Sequence, residues 1–169
     1  MLYQYPLESL ARRRATTSQL QFAREARKVL ADSDHAVFEA HEHGLAMFVA
    51  NEDALAEPTQ VLRAMYGDFV DVRKPRVRLI PGNPPQQPIM HARITTRGEF
   101  GHRVRAELRR RGARLLEHCT RGSIEIVRAE APLASLLGLP MRLHVISAGS
   151  ATHEIRLVRY AVLPPLPAA

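Results

Sequence analysis

At 169 residues, 46% of them apolar, the chain can form one globular domain or two small ones, and its net charge of +7 favours an anionic partner. Aromatic residues make up only 5% and tryptophan is absent, so the core must be aliphatic. No apolar run approaches the roughly 18 residues that span a bilayer, Met1 to Pro6 lacks the basic flank and apolar stretch of a signal peptide, and the single Cys119 excludes an intrachain disulfide or a Cys-based zinc site. These features predict a cytoplasmic protein with no membrane partner.

Met1 to Leu7 is the only segment before the first helix that reads as a strand, with Arg12-Arg13-Arg14 following as a solvated loop. Leu20, Ala23 and Leu30 fall at helical spacing over Ser18 to Leu30, and Thr16, Thr17 and Ser18 are candidate N-caps. Ala36, Phe38 and Ala40 alternate along a strand to His41, His43-Gly44 turns the chain, and Leu45 to Ala50 is apolar enough for a buried strand. Asn51 can cap a helix over 53–66 that tolerates Pro58 in its first turns and stops at Gly67. Phe69 to Leu79 reads as a last strand broken by Pro75, hence at an edge or a bulge.

Residues 81–88, Pro-Gly-Asn-Pro-Pro-Gln-Gln-Pro, read as a proline-rich linker between a domain at 1–80 and another at 89–169. Ile89 to Thr95 is a strand, and Glu99 to Arg111 a helix with Phe100, Val104 and Leu108 on one face and Gly112 as its stop. Leu115 to Thr120 and Ser123 to Glu130 form a hairpin about Arg121-Gly122. A short helix with Pro140 in its first turn follows Gly138. Thr152 to Leu163 is the final strand, with Ile155, Leu157 and Arg159 facing one way, and Pro164 to Pro167 marks the end of order. Each half thus reads β-α-β-β-α-β, so the predicted class is α+β. The architecture is two tandem ferredoxin-like domains, each an antiparallel sheet with helices on one face.

Several runs carry a resemblance: Arg-Arg-Gly-Ala at 110–113, Val-Arg-Ala-Glu-Ala-Pro-Leu-Ala at 127–134, Gly138, Gly149 and Val158-Arg159-Tyr160. In this register residues 88–163 resemble the C-terminal domain of elongation factor G and related translational GTPases. Residues 55–79, through Val72-Arg73-Lys74-Pro75-Arg76-Val77, resemble less closely the end of that factor's third domain. The chain departs from the family in three ways. It contains no Gly-x-x-x-x-Gly-Lys-Ser/Thr loop for GTP. The third-domain-like half joins the last-domain-like half directly, as in BipA-type translational GTPases. Arg142 and His144 stand where the family usually has an acidic residue and an arginine.

Charge is divided unevenly. Residues 1–82 hold eleven Lys/Arg and eleven Asp/Glu, whereas 83–169 hold thirteen Arg and six Glu, so the whole excess lies in the second half. Arginine presents a planar, bidentate fork to phosphate. Arg103, Arg105, Arg109, Arg110, Arg111 and Arg114 form the densest group, and with Arg121 they are the candidate RNA-binding residues. The competing reading is structural. Cations favour a helix C-terminus, and Glu107 lies four residues from both Arg103 and Arg111. The resemblance implies docking on the ribosome's large subunit, contacting rRNA and a ribosomal protein, with any nucleotide hydrolysis left to a separate GTPase partner.

Catalysis is not expected. His41 and His43 share a strand face, as two metal ligands would, but no third ligand is evident and a turn explains them more simply. His118 and Cys119 are neighbours on a strand and point apart, so Cys119 reads as a small buried hydrophobe. No Gly-x-Ser-x-Gly or paired-carboxylate pattern occurs, and no cofactor or metal is predicted. The expectation is a non-catalytic, ribosome-associated module that modulates translation. The alternatives are a protein-interaction or assembly module, including a homodimer through a sheet edge near Pro75 or Ala161-Val162-Leu163, or a piece of a larger translational GTPase.

Overall fold

The computed structural model describes residues 2–164. Of the terminal Pro164–Pro167 run expected to end order, 165–167 lie outside the described residues. The chain divides into two compact units between Arg78 and Leu79. The first runs β1 (Leu7–Arg13), α1 (Gln19–Val29), β2 (Ala36–His41), β3 (Gly44–Val49), α2 (Ala56–Tyr66), β4 (Val70–Val72) and β5 (Arg76–Val77). The second runs β6 (Gln86–Arg97), α3 (Gly101–Arg110), β7 (Arg114–Arg121), β8 (Ile124–Pro132), α4 (Leu133–Leu136), α5 (Leu139–Ile146) and β9 (Thr152–Val162). The sheets are ordered β2-β3-β1-β4, with β5 also on β1, and β7-β8-β6-β9. Both are antiparallel, and both put the first strand of the unit in the middle, the ferredoxin-like arrangement expected from the sequence.

In the first unit Ser18 caps α1 by accepting from the Gln21 amide at 3.2 Å, and Asn51 accepts from Ala54 N at 3.1 Å before α2. Phe22, Ala23 and Ala26 of α1 and Leu62 of α2 pack with Leu7, Ala11, Leu45, Met47 and Val49 of the sheet, all of them buried. Phe22 meets Tyr66 edge-on at 5.1 Å and so ties the two helices. The opposite face of β3 is covered as well: Ala46 and Phe48 cluster with Tyr5, Leu2 and Val37.

The first strand departs from expectation. It is Leu7–Arg13 rather than 1–7, and Arg12 and Arg13 are inside it, paired with Asp71 and Val70. Leu7, Ser9 and Ala11 alternate inward, so a small hydroxyl and a methyl stand where a large apolar residue would have signalled a strand. The Arg13 guanidinium lies 5.4 Å from the Tyr66 ring centre rather than in a solvated loop. The last strand is broken at Pro75, as predicted, into β4 and β5.

In the second unit Met90, Ala92, Ile94, Val127, Ala129 and Ile155 of the sheet pack against Val104, Leu108, Leu139 and Leu143 of the helices. The expected linker is shorter at its far end, because β6 begins at Gln86 and includes Pro88. Leu163 N donates to Pro85 O at 3.0 Å, so alternation turns the position of Pro88's missing amide away from β9. On its other side β8 pairs only from Ile89 onward, so no ladder bond is lost. The expected alternation of β9 also fails at one point. A bulge takes Val158 out of register, with Met90 opposite Leu157 and Ile89 opposite Arg159. Arg159 therefore joins the solvent face instead of following Ile155 and Leu157 inward.

Gly44 sits at φ +136°, and a Cβ there would lie 2.3 Å from Ala11 O across the sheet. Gly44→Ala is therefore expected to destabilise the first unit by at least roughly 1–3 kcal/mol, read from urea unfolding followed by circular dichroism. An unchanged midpoint would refute the close approach.

Candidate nucleic-acid interface

Four of the seven arginines singled out by the sequence are engaged with carboxylates. Arg105 Nη1 bonds Glu125 Oε1, a buried carboxylate on the helix side of β8. Gly101 makes room for this pair, since a Cβ at that position would lie 1.7 Å from Glu125 Oε2. Arg110 grips Glu107 with Nη2 at 2.6 Å and Nε at 3.1 Å. Arg111 donates to the same carboxylate at 2.7 Å and to the Ser135 and Leu137 carbonyls at 3.2 and 2.8 Å, fastening α3 to the segment around α4. Arg114 lies 3.6 Å from Glu130. The sequence spacing pairs Glu107 with Arg103 and Arg111. In the structure it holds Arg111 as that spacing predicts, but Arg110 rather than Arg103, with Arg142 at 3.7 Å.

The other three have no carboxylate partner among the described residues. Arg103 is exposed, its guanidinium 5.9 Å from the Phe100 ring centre. Arg109 projects from the last turn of α3. Arg121 closes β7 at the hairpin tip. The structure therefore does not bring the seven together as one patch. Arg105 and Arg111 are half-buried structural groups, while Arg109 and Arg121 are exposed on different elements.

A second group of arginines lies on the sheet face turned away from the helices, where directly paired residues share a side. One row across it reads Arg114, Glu130, His91 and Arg156, and the next Glu117, Arg128, Arg93 and Glu154. Arg159 joins the first row through a 2.6 Å bond to Glu130. The Arg159 hydrogen bond, helped by the charges of Arg159, Arg114 and His91, holds the Glu130 carboxyl below its ordinary value. Arg93 and Arg156 have no ion-pair partner among the described residues. The sequence reading missed this layer, although strand alternation of His91, Arg93 and Thr95 was the signal available for it. Cys119 belongs to the same face, opposite Ile126, and is half-buried rather than buried.

His41 and His43 are both exposed at the β2–β3 turn. Among the described residues no group of three His, Cys, Asp or Glu is placed to hold a metal ion. None of the described helices is long and apolar enough to cross a membrane.

Residues 86–168 match the family model for the elongation factor G C-terminus. Elongation factor G 1 of Bdellovibrio bacteriovorus is 32% identical over 79 residues, 46% of this chain and 11% of that protein. Elongation factor G of Amoebophilus asiaticus is 31% identical over 78 residues, again 46% of this chain and 11% of that protein. The chain thus matches about a tenth of the length of these relatives. A crystal structure from Thermus thermophilus aligns with a TM-score of 0.69 at 15% identity, covering 94% of this chain and 41% of that one, a likeness of fold.

The arginine grip lowers the Glu107 carboxyl from 4.5 to about 2, the Arg110 hydrogen bonds contributing most and burial opposing them. Because the folded value is the lower one, this stabilisation is complete above pH 4.5 and is lost as the pH falls toward 2. It is at most about 3 kcal/mol. Glu107→Gln is expected to flatten the fall in unfolding free energy over that window, measured by urea denaturation at each pH. Arg111→Ala should destabilise the second unit by about 2–4 kcal/mol, and Arg109→Ala by under about 0.5 kcal/mol. Equal losses would contradict the division into structural and free arginines.

Proposed function

We propose that this chain, whose residues 86–168 carry the elongation factor G C-terminal domain, is a non-catalytic module of translation that binds the ribosome and modulates factor access. The family match is the observation that carries the reading. The confinement of the +7 charge to the second half supports contact with the rRNA backbone. Contacts of that kind would position the module without reading base sequence. Arg109 and Arg121 are the best candidates among the seven, because neither spends its charge on a carboxylate nor lies over an aromatic ring as Arg103 does. Arg93 and Arg156 extend the basic surface on the sheet. Large-subunit protein would complete the docking site, and nucleotide hydrolysis would come from a separate GTPase.

A second reading, assembly through a sheet edge, is favoured by Val158 and Val162 of edge strand β9, both about half exposed. Light scattering of the purified chain separates the two, since a clean dimer with no ribosome affinity supports assembly.

Ribosome co-sedimentation over a salt series tests the first reading. Binding should weaken steeply with salt, because displaced counterions return to the RNA. The double variant Arg109→Glu/Arg121→Glu should pellet less with ribosomes while its circular dichroism is unchanged. Failure to pellet at low salt removes ribosome binding. Equal pelleting of the variant removes these two arginines from the interface.

A further inference from the structure

The furrow between α3 and α5 offers a different chemistry from the arginine-rich sheet face. Arg103, Ala106, Glu107 and Arg110 line it from α3, and Arg142, Val145 and Ile146 from α5, around an open volume of about 490 Å3. On α5 the inward positions Leu139 and Leu143 are completely buried, yet Met141 is 78% and Val145 62% exposed. Those two side chains are four residues apart and form one apolar stripe along the helix. Two exposed apolar residues are too little to mark a docking site by themselves; what distinguishes this place is the charge around it.

The edge is cationic beyond what its own carboxylate neutralises. Glu107 is already bonded by Arg110 and Arg111 and approached by Arg142. Arg103 adds a further guanidinium with no carboxylate partner among the described residues. Two demands must therefore be met together by whatever covers the furrow: apolar atoms against Ala106 and Val145, and anionic acceptors for Arg103, Arg110 and Arg142. A nucleic-acid backbone meets the second demand and leaves the apolar stripe against sugar and phosphate. An uncharged apolar peptide meets the first and would desolvate guanidinium groups without partners, which is costly.

We infer that this furrow docks an acidic amphipathic helix of a partner protein. Its apolar row would lie along Ala106, Val145 and Ile146, and its flanking carboxylates would pair with Arg103, Arg110 and Arg142. The fit in length is natural, since α5 spans eight residues and so about 12 Å. Two turns of a ligand helix place apolar residues at i, i+4 and i+7 against it, the helix-in-groove mode of recognition. This surface is distinct from Arg109, Arg121 and the sheet face, and the inference does not require the ribosomal reading.

The test uses the intact chain and a fluorescein-labelled peptide of about 15 residues, long enough to form helix on binding. One version carries Leu at i, i+4 and i+7 with Glu at the flanking positions, and a second carries Lys in place of every Glu. Fluorescence anisotropy is expected to show saturable binding of the Glu version and none of the Lys version. Arg142→Glu and Val145→Asp should each weaken it by about tenfold or more, with circular dichroism unchanged because both side chains are exposed. Some affinity should survive high salt, since apolar burial is not screened. Equal binding of both peptides, no binding up to about 1 mM, or full affinity in both variants overturns the inference. So does displacement of the bound peptide by an rRNA fragment whose own affinity falls equally in both variants. None of these outcomes alters the result of ribosome co-sedimentation, so the two readings fail separately.

Discussion

Two carboxylates withdrawn from water, Glu107 and Glu125, govern how the second unit is put together. A glutamate in such a place is strongly unfavourable unless cations and donors surround it. Both are met from α3 and the residue that caps it: Arg105 reaches Glu125 on the sheet, and Arg110 and Arg111 close on Glu107. These pairs fix more than charge. They require α3 to start at a residue with no side chain, Gly101, because the Glu125 carboxylate occupies the space a Cβ would need. They also bring Arg111 to the Ser135 and Leu137 carbonyls, so the turn leading to α5 is located by the same guanidinium that neutralises Glu107. The apolar core of Val104, Leu108, Leu139 and Leu143 then sits beneath a ring of charged groups that cannot slide without unpairing one another.

That division of labour changes what a basic composition means. An isoelectric point near 10.5 is an invitation to read every arginine as a ligand for phosphate. Here Arg105 and Arg111 are half-buried supports. Arg110 serves both as support and as part of the furrow edge. The cations with charge to spare are dispersed over the end of α3, the hairpin tip and the far face of the sheet. On that face Glu117, Glu130 and Glu154 alternate with the arginines, so its potential is moderated rather than uniform. Such a surface suits positioning on a phosphate backbone through a few contacts better than tight encirclement of a strand. Too few aromatic residues are present to add base stacking.

Much of this is legible from local pattern, and the failures share a cause. Helix α1 is announced by Ser18 and by Leu20, Ala23 and Leu30, and the β7–β8 hairpin by Gly122 between two extended runs, because caps and turns act over three or four residues. Strand β1 is misplaced by local pattern because its inward residues, Leu7, Ser9 and Ala11, become strand-like only when β3 and β4 lie on either side. Alternation puts Arg159 on the wrong face because a bulge at Val158 breaks a period that the sequence continues. The engagement of Arg105 is invisible for the same reason, since its partner is twenty residues away on another element. Within the helix, Glu107 is recognisable as a tether, but the choice between Arg103 and Arg110 depends on how α3 faces α5, which periodicity does not contain.

The first unit sharpens the assignment of function to the second. Over residues 1–82 positive and negative charges are equal in number. Several of its cations are used internally: Arg27 on Asp32, Arg76 and Arg78 on Glu8, and Arg13 over Tyr66. Arg78 in addition stacks on Phe48 and donates to the Tyr5 carbonyl, holding the segment before β1 against the sheet. Two units of one topology have thus put arginine to different uses. Both use it to cover aromatic rings, with Arg13 and Arg78 in the first and Arg97 and Arg103 in the second, but in the first its ion pairs are with Asp32 and Glu8. In the second, a small set of buried glutamates consumes what the fold requires and leaves the remainder on the outside. Any long-range attraction to a polyanion must arise from that remainder, because a field is set by net charge and not by the number of cations.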